Sequence, residues 1–259
     1  MDTRIAAGLL VTCALVAPPG PALAKDPYFG FLTSALLESR SGPPASVTCV
    51  RGEHPRGVTV ALLYRDGSNA CLVKTGGHAD PVAGGPCTIL VDATRCAKEP
   101  VLALIGSKPT RYRFTQVETS RDRSELTALD VLVRGSGVLD RLVQAAPEPA
   151  RPRGPMQVDA LPFEVLRLRG VSESPAFVRY GVTHEGRHQD NGPVVALFGQ
   201  KVSEAAGPVA TLGDAVDLDG KVYVLLWTGC FGCGWNQVRF FCLEKGGLRL
   251  MRETSEAAL

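Results

Sequence analysis

Gly220-Lys221-Val222-Tyr223-Val224-Leu225-Leu226-Trp227-Thr228-Gly229-Cys230 is the stretch from which the fold is read. Its apolar centre, residues 222–227 (VYVLLW), is rich in β-branched and aromatic side chains and has glycine close to both ends. A run of this length is short for a buried helix and right for a strand. Residues 163–169, 176–182, 194–198, 209–212, 238–243 and 248–251 repeat the pattern, separated by Gly, Asp, Asn and Pro. Connections this short leave little room for the ~10–15-residue crossover helices that parallel strands need, so the strands are expected to pair antiparallel. The fold class expected is mainly β with minor α (α+β), with antiparallel sheets in two small disulfide-stapled domains.

Toward the N-terminus, residues 145–157 (AAPEPARPRGPMQ) contain Pro147, Pro149, Pro152 and Pro155. Proline removes backbone donors and restrains its neighbour, which makes this an extended connector. It places a linker at 146–157, between an N-terminal β-rich domain (25–145) and a C-terminal antiparallel β domain (158–259). In the first domain strands are expected at 47–51, 58–64, 70–74, 88–91, 101–105 and 111–117. Asp66-Gly67-Ser68-Asn69 reads as a hairpin turn, because Gly and Asn tolerate positive φ. Helices are expected at both flanks. One is 28–39, capped by Asp26 with Pro27 behind it and stopped by Gly42-Pro43-Pro44. The other is 121–144, with Leu126, Leu129 and Val133 on one face and a break at Gly135-Ser136-Gly137. Residues 100–108 (PVLALIGSK) and 193–201 (PVVALFGQK) share six of nine positions. The likeness is confined to one strand and its Gly turn, short of the ~20–50 residues of a repeat unit.

Residues 1–24 read as a signal peptide. Arg4 precedes the apolar run 5–17, a Pro-Gly cluster follows, and Ala22 and Ala24 stand at the small-residue positions before Lys25. No run reaches the ~18–20 apolar residues that span a bilayer as a helix, so no membrane span is expected in the mature chain. The localisation expected is secreted or periplasmic, after cleavage near Ala24-Lys25. An oxidising compartment turns nearby thiols into bridges. The disulfide candidates are Cys49, Cys71, Cys87 and Cys96 in the first domain, and Cys230, Cys233 and Cys242 in the second. Four cysteines allow three pairings, and three leave one over. With 28 basic against 26 acidic residues, the formal charge is +2. That balance lacks the basic excess of a nucleic-acid binder, and no such partner is expected.

His184-Glu185-Gly186-Arg187-His188 matches H-E-x-x-H, the zinc-peptidase string. Its chemistry needs a helix, on which residues i and i+4 share a face and both imidazoles reach one Zn²⁺. Here Gly186 is a poor helix former, and Gln189-Asp190-Asn191-Gly192-Pro193 is turn chemistry, which points to a strand–loop–strand hairpin. Asp214, Asp217 and Asp219-Gly220 miss the spacing of a calcium loop and read as a turn.

Cys230-Phe231-Gly232-Cys233 after an apolar strand resembles the strand leading into the active site of thioredoxin-like proteins, which implies a thiol–disulfide function. The sequence departs from that pattern in two ways. Gly229 rather than Trp precedes Cys230, and residues 234–243 read as a strand where that family has a helix. A glycine-rich hairpin tip closed by a disulfide would instead present Phe231 and Trp235 as an exposed binding loop. The function expected is an exported, disulfide-stabilised binding or structural module without catalytic activity or cofactor. Its partner would be a protein or glycan of the cell envelope. The alternatives are a zinc-dependent hydrolase using His184, Glu185 and His188, and a redox or metal-binding protein using Cys230 and Cys233.

Overall fold

The computed structural model describes residues 27–30, 32–33, 44–49, 57–78, 87–92, 96–98, 100–144, 156–207, 209–229 and 235–257. Residues 1–24, expected as a signal peptide, residues 145–155 of the expected connector, and Cys230, Phe231 and Cys233 lie outside the described residues. Among the described residues the protein is mainly β with two helices, and every strand pair is antiparallel.

The first strands are β1 (Tyr28–Gly30), β2 (Leu32–Thr33), β3 (Pro44–Cys49), β4 (Thr59–Leu63), β5 (Cys71–His78), β6 (Cys87–Asp92) and β7 (Leu102–Ile105). They form one sheet in the order β1-β7-β4-β5-β6-β3-β2. Because β1 and β2 are one residue apart in the chain, residues 28–33 supply both ends of this sheet. The two ends of the strand order thus share one short segment, which curls the sheet into a small barrel. Alternation along the strands divides the side chains. Val60, Leu62, Val73, Val91, Ala103 and Ile105 form one cluster, while Ala61, Leu63, Leu102 and Leu104 turn to the opposite side.

The helix expected at 28–39 is overturned at its start, residues 28–30 and 32–33, while 34–39 lie outside the described residues. Residues 28–30 pair with β7, residues 32–33 pair with β3, and Phe29 is buried against Tyr223 and Phe240. Tertiary pairing overrides the local capping signal of Asp26-Pro27. The turn at Asp66–Asn69 is found where expected, joining β4 to β5 with Gly67 at φ 71°.

The rest of the chain forms β8 (Tyr112–Thr115), β9 (Val117–Ser120), α1 (Arg123–Gly135), α2 (Val138–Gln144) and β10 (Met156–Leu168). These are followed by β11 (Ala176–His184), β12 (Arg187–Gln189), β13 (Val194–Phe198), β14 (Lys201–Ala206) and β15 (Val209–Leu218). The last three strands are β16 (Lys221–Gly229), β17 (Trp235–Glu244) and β18 (Gly247–Ala257). One sheet runs β14-β13-β11-β10-β9, with β12 beside β11; another runs β18-β17-β16-β15-β8. β8 and β9, only Gln116 apart, join different sheets. Both precede residues 146–157 in the chain, yet their partners β15 and β10 follow that stretch or begin within it.

The molecule is layered. The five-stranded sheet meets the barrel through Val216, Tyr223, Leu225, Val238 and Phe240 on one face. Its other face, with Ala215, Val224, Leu226 and Phe241, packs on Leu166, Phe177, Val194 and Ala196 of the second sheet. The far side of that second sheet is covered by Leu126 and Val133 of α1 and Leu139 and Leu142 of α2. A strand buried on both faces needs no polar alternation, which accounts for the uninterrupted VYVLLW run of β16. Helix α1 starts where Asp122 accepts the Glu125 amide at 3.0 Å. No helix among the described residues is long and apolar enough to cross a membrane.

Candidate functional site

The H-E-x-x-H string is a two-residue hairpin turn. Glu185 (φ 49°) and Gly186 (φ 73°) sit in the left-handed region, as a tight turn between twisted strands requires. In the β11–β12 ladder His184 pairs with Arg187 and His188 with Thr183. Neighbouring ladder positions point to opposite faces, so His184 and His188 diverge. His184 is buried, whereas His188 is half-exposed. The structure thus does not bring together the two imidazoles that the zinc reading needs on one helical face.

His188 instead ends a polar chain built from four elements. Its Nε2 lies 2.8 Å from Asp159 Oδ2, and its Nδ1 lies 3.6 Å from Asp190 Oδ1. Asp159 stands in a bulge of β10, between Val158 and Pro162, where the register with β11 shifts. Such a bulge re-aims a side chain out of the regular pleat. The space it occupies is open because residue 181 is glycine; a Cβ there would meet Asp159 Oδ2 at 2.2 Å. Arg134 of α1 donates to the Asp159 carbonyl and grips Asp130 through Nε at 2.9 and 3.1 Å. Asp130 in turn accepts the buried Tyr180 hydroxyl at 2.9 Å. Hydrogen bonding to the Asp159 carboxylate raises the His188 pKa above its ordinary value. Burial first, and then Asp130, push the Tyr180 phenol upward, so it remains a neutral donor. This chain ties α1 to the hairpin. Only the Asp130–Arg134 spacing of four on a helix was readable from sequence.

A second site is concave. An open depression of about 810 Å³ lies between the β4–β5 turn and the loop leading into β8. Ser68, Asn69, Lys108, Thr110 and Arg111 give it polar groups, and Leu72, Pro109 and Tyr112 give it apolar wall. Its walls are pinned. The Tyr112 hydroxyl donates to the Ser68 carbonyl and accepts the Tyr64 amide at 3.0 Å. The Asp219 carboxylate accepts the Arg111 amide at 2.8 Å and the Thr110 amide at 3.4 Å. Cys71, beside this turn, is bridged to Cys96. Burial raises the Tyr112 phenol, which stays protonated and able to donate. The hairpin turn at Gly67-Ser68-Asn69 was legible in the sequence. Its convergence with Lys108 and Arg111 was not, because the two segments meet only through the tertiary fold.

The remaining predicted positions separate. Cys71–Cys96 selects one of the three possible pairings of the first four cysteines and leaves Cys49 directly opposite Cys87 in the β3–β6 ladder. Cys242 is buried in the core between barrel and sheet, its Sγ 3.8 Å from the Leu243 carbonyl. Trp235 is the first residue of β17, opposite Ala257. The three aspartates do not converge. Asp214 pairs with Arg65 at 2.7 Å, Asp217 caps the Gly220 amide at 2.9 Å, and Asp219 holds the loop at Thr110 and Arg111. Among the described residues no group of three or more His, Cys, Asp or Glu side chains is arranged to hold a metal ion. Compared with protein-family models, with curated proteins and with solved structures, the chain matches none of them.

Proposed function

We propose that this protein is an exported binding module, without catalytic activity, that seats its ligand in the depression between residues 67–72 and 108–112. The observation that carries this reading is the depression itself. Its volume of about 810 Å³ falls in the ~300–1,000 Å³ range of ligand sites, and few well-placed polar groups sit on braced walls. Bracing matters for binding, because walls that are already ordered lose little freedom when a ligand arrives. A signal sequence at residues 1–24 and the Cys71–Cys96 bridge support an extracellular or periplasmic setting.

The test is two-dimensional NMR while soluble fragments of the cell envelope are titrated in. Shifts concentrated at 67–72 and 108–112 are expected, and they should vanish in Asn69→Trp, in which an exposed lining residue is replaced by a ring that fills the space. The added fragments should be recovered chemically unchanged. Shifts centred elsewhere, or equal shifts in Asn69→Trp, would overturn the assignment of the seat.

A further inference from the structure

We infer that the ligand of this depression is an acidic oligosaccharide, its carboxylate or sulfate held by Lys108 and Arg111; the inference rests on the seat proposed above. The first ground is charge. Lys108 and Arg111 line the same depression, both are exposed, and neither makes an ion pair among the described residues. Of the nearby carboxylates, neither a lining residue, Asp66 is paired with a cation and Asp219 keeps its charge. Asp66 is bound to Lys98 and to the Ser68 amide at 3.0 Å, and its pKa is held well below the ordinary carboxylate range by those bonds. Asp219 is bound to the backbone of Thr110 and Arg111. Lys108 and Arg111 thus line the depression with no carboxylate among its lining residues, and they outnumber the Asp219 charge behind it.

The second ground is the rest of the lining. Two hydroxyls (Ser68, Thr110) and one amide (Asn69) present donors and acceptors suited to a hydroxyl-rich body. The apolar contribution is Leu72 at 44% exposure, the small Ala70, and the buried Pro109 and Tyr112. That is too little for the anchor pockets on which peptide recognition depends. The third ground is size: about 810 Å³ exceeds what a lone inorganic anion fills and accommodates several sugar rings.

The experiment is calorimetric titration of the full mature chain at low salt with four probes: hexagalacturonate, a sulfated hexasaccharide, neutral maltohexaose and inorganic phosphate. A hexaglutamate peptide is the fifth. At least one acidic hexasaccharide is expected to bind at least tenfold more tightly than maltohexaose and phosphate, and the two acids compared tell carboxylate from sulfate. Lys108→Ala and Arg111→Ala should each weaken that binding about tenfold, as loss of a charge-assisted hydrogen bond does. Binding should also weaken as salt is raised. Equal affinity for maltohexaose, or unchanged affinity in both alanine variants, overturns the inference. Phosphate binding as tightly makes the site a seat for a lone anion, and tighter hexaglutamate binding makes the occupant a peptide; either outcome also overturns it. Maltohexaose binding that is lost in Asn69→Trp would remove the acidic ligand while leaving the seat itself intact.

Discussion

Each ring nitrogen of His188 faces a carboxylate, one on β10 and one just beyond β12. A proton on this imidazole is stabilised in the folded chain by Asp159 first, so the folded pKa lies above the unfolded one. The contribution to stability is therefore complete below the unfolded pKa of about 6.5, and it is lost as pH rises through the raised folded value. NMR titration of the His188 ring should give a midpoint above that of an unstructured histidine, and Asp159→Asn should bring it back down. An unchanged midpoint in that variant would mean that the ion pair is not formed in solution. In the sequence this histidine stood out only through its spacing from His184. The partner that sets its behaviour lies on another strand, at a bulge that no residue pattern announces.

At the scale of elements, legibility followed local chemistry. β16, β13 and β4 were readable because β-branched runs stand between Gly and Asp turns. The β11–β12 turn was readable because Glu185-Gly186 sits before turn residues and after an apolar strand. β14 (KVSEAA) was missed, since its polar composition carries no strand signal and pairing with β13 decides it. The stretch expected as one strand at 111–117 is broken at Gln116, and its halves are claimed by two sheets. Glycine positions also show how tightly these elements meet. A Cβ at Gly192 would stand 2.6 Å from the Tyr180 carbonyl oxygen and 2.7 Å from Val182 Cγ1, whereas one at Gly247 meets nothing within 4 Å. Gly192→Ala should therefore cost about 1–3 kcal/mol in chemical denaturation, with Gly247→Ala nearly silent. Equal effects would show that the β11 contact relaxes freely.

Across the whole molecule, the sheet centred on β16 belongs to two cores at once. Residues 158–259 alone would lack β8 and β9 and would expose the face built from Val216, Tyr223, Leu225, Val238 and Phe240. Losing that apolar cover forfeits ~25 cal/mol for each Å² of apolar surface left exposed. This fragment should give the poorly dispersed amide spectrum of an aggregating or molten chain, whereas a sharp, native-like spectrum would show that it folds independently. Composition and strand patterns revealed the fold class. They could not reveal that the barrel, the sheets and the helices stack as consecutive layers, because each layer contact joins residues distant in sequence.

The ring of Phe29, on the strand that closes the barrel, stacks on that of Phe240 at 5.5 Å between centroids, joining the beginning of the described chain to its last strands. Contacts of such long sequence separation form late and slowly, because a large loop must close before they are rewarded. A chain emerging from the ribosome has no Phe240 to offer until synthesis is nearly finished. Its earliest strand therefore stays unpartnered on that side during elongation, and the layer between barrel and sheet can lock only once the last strands have been made.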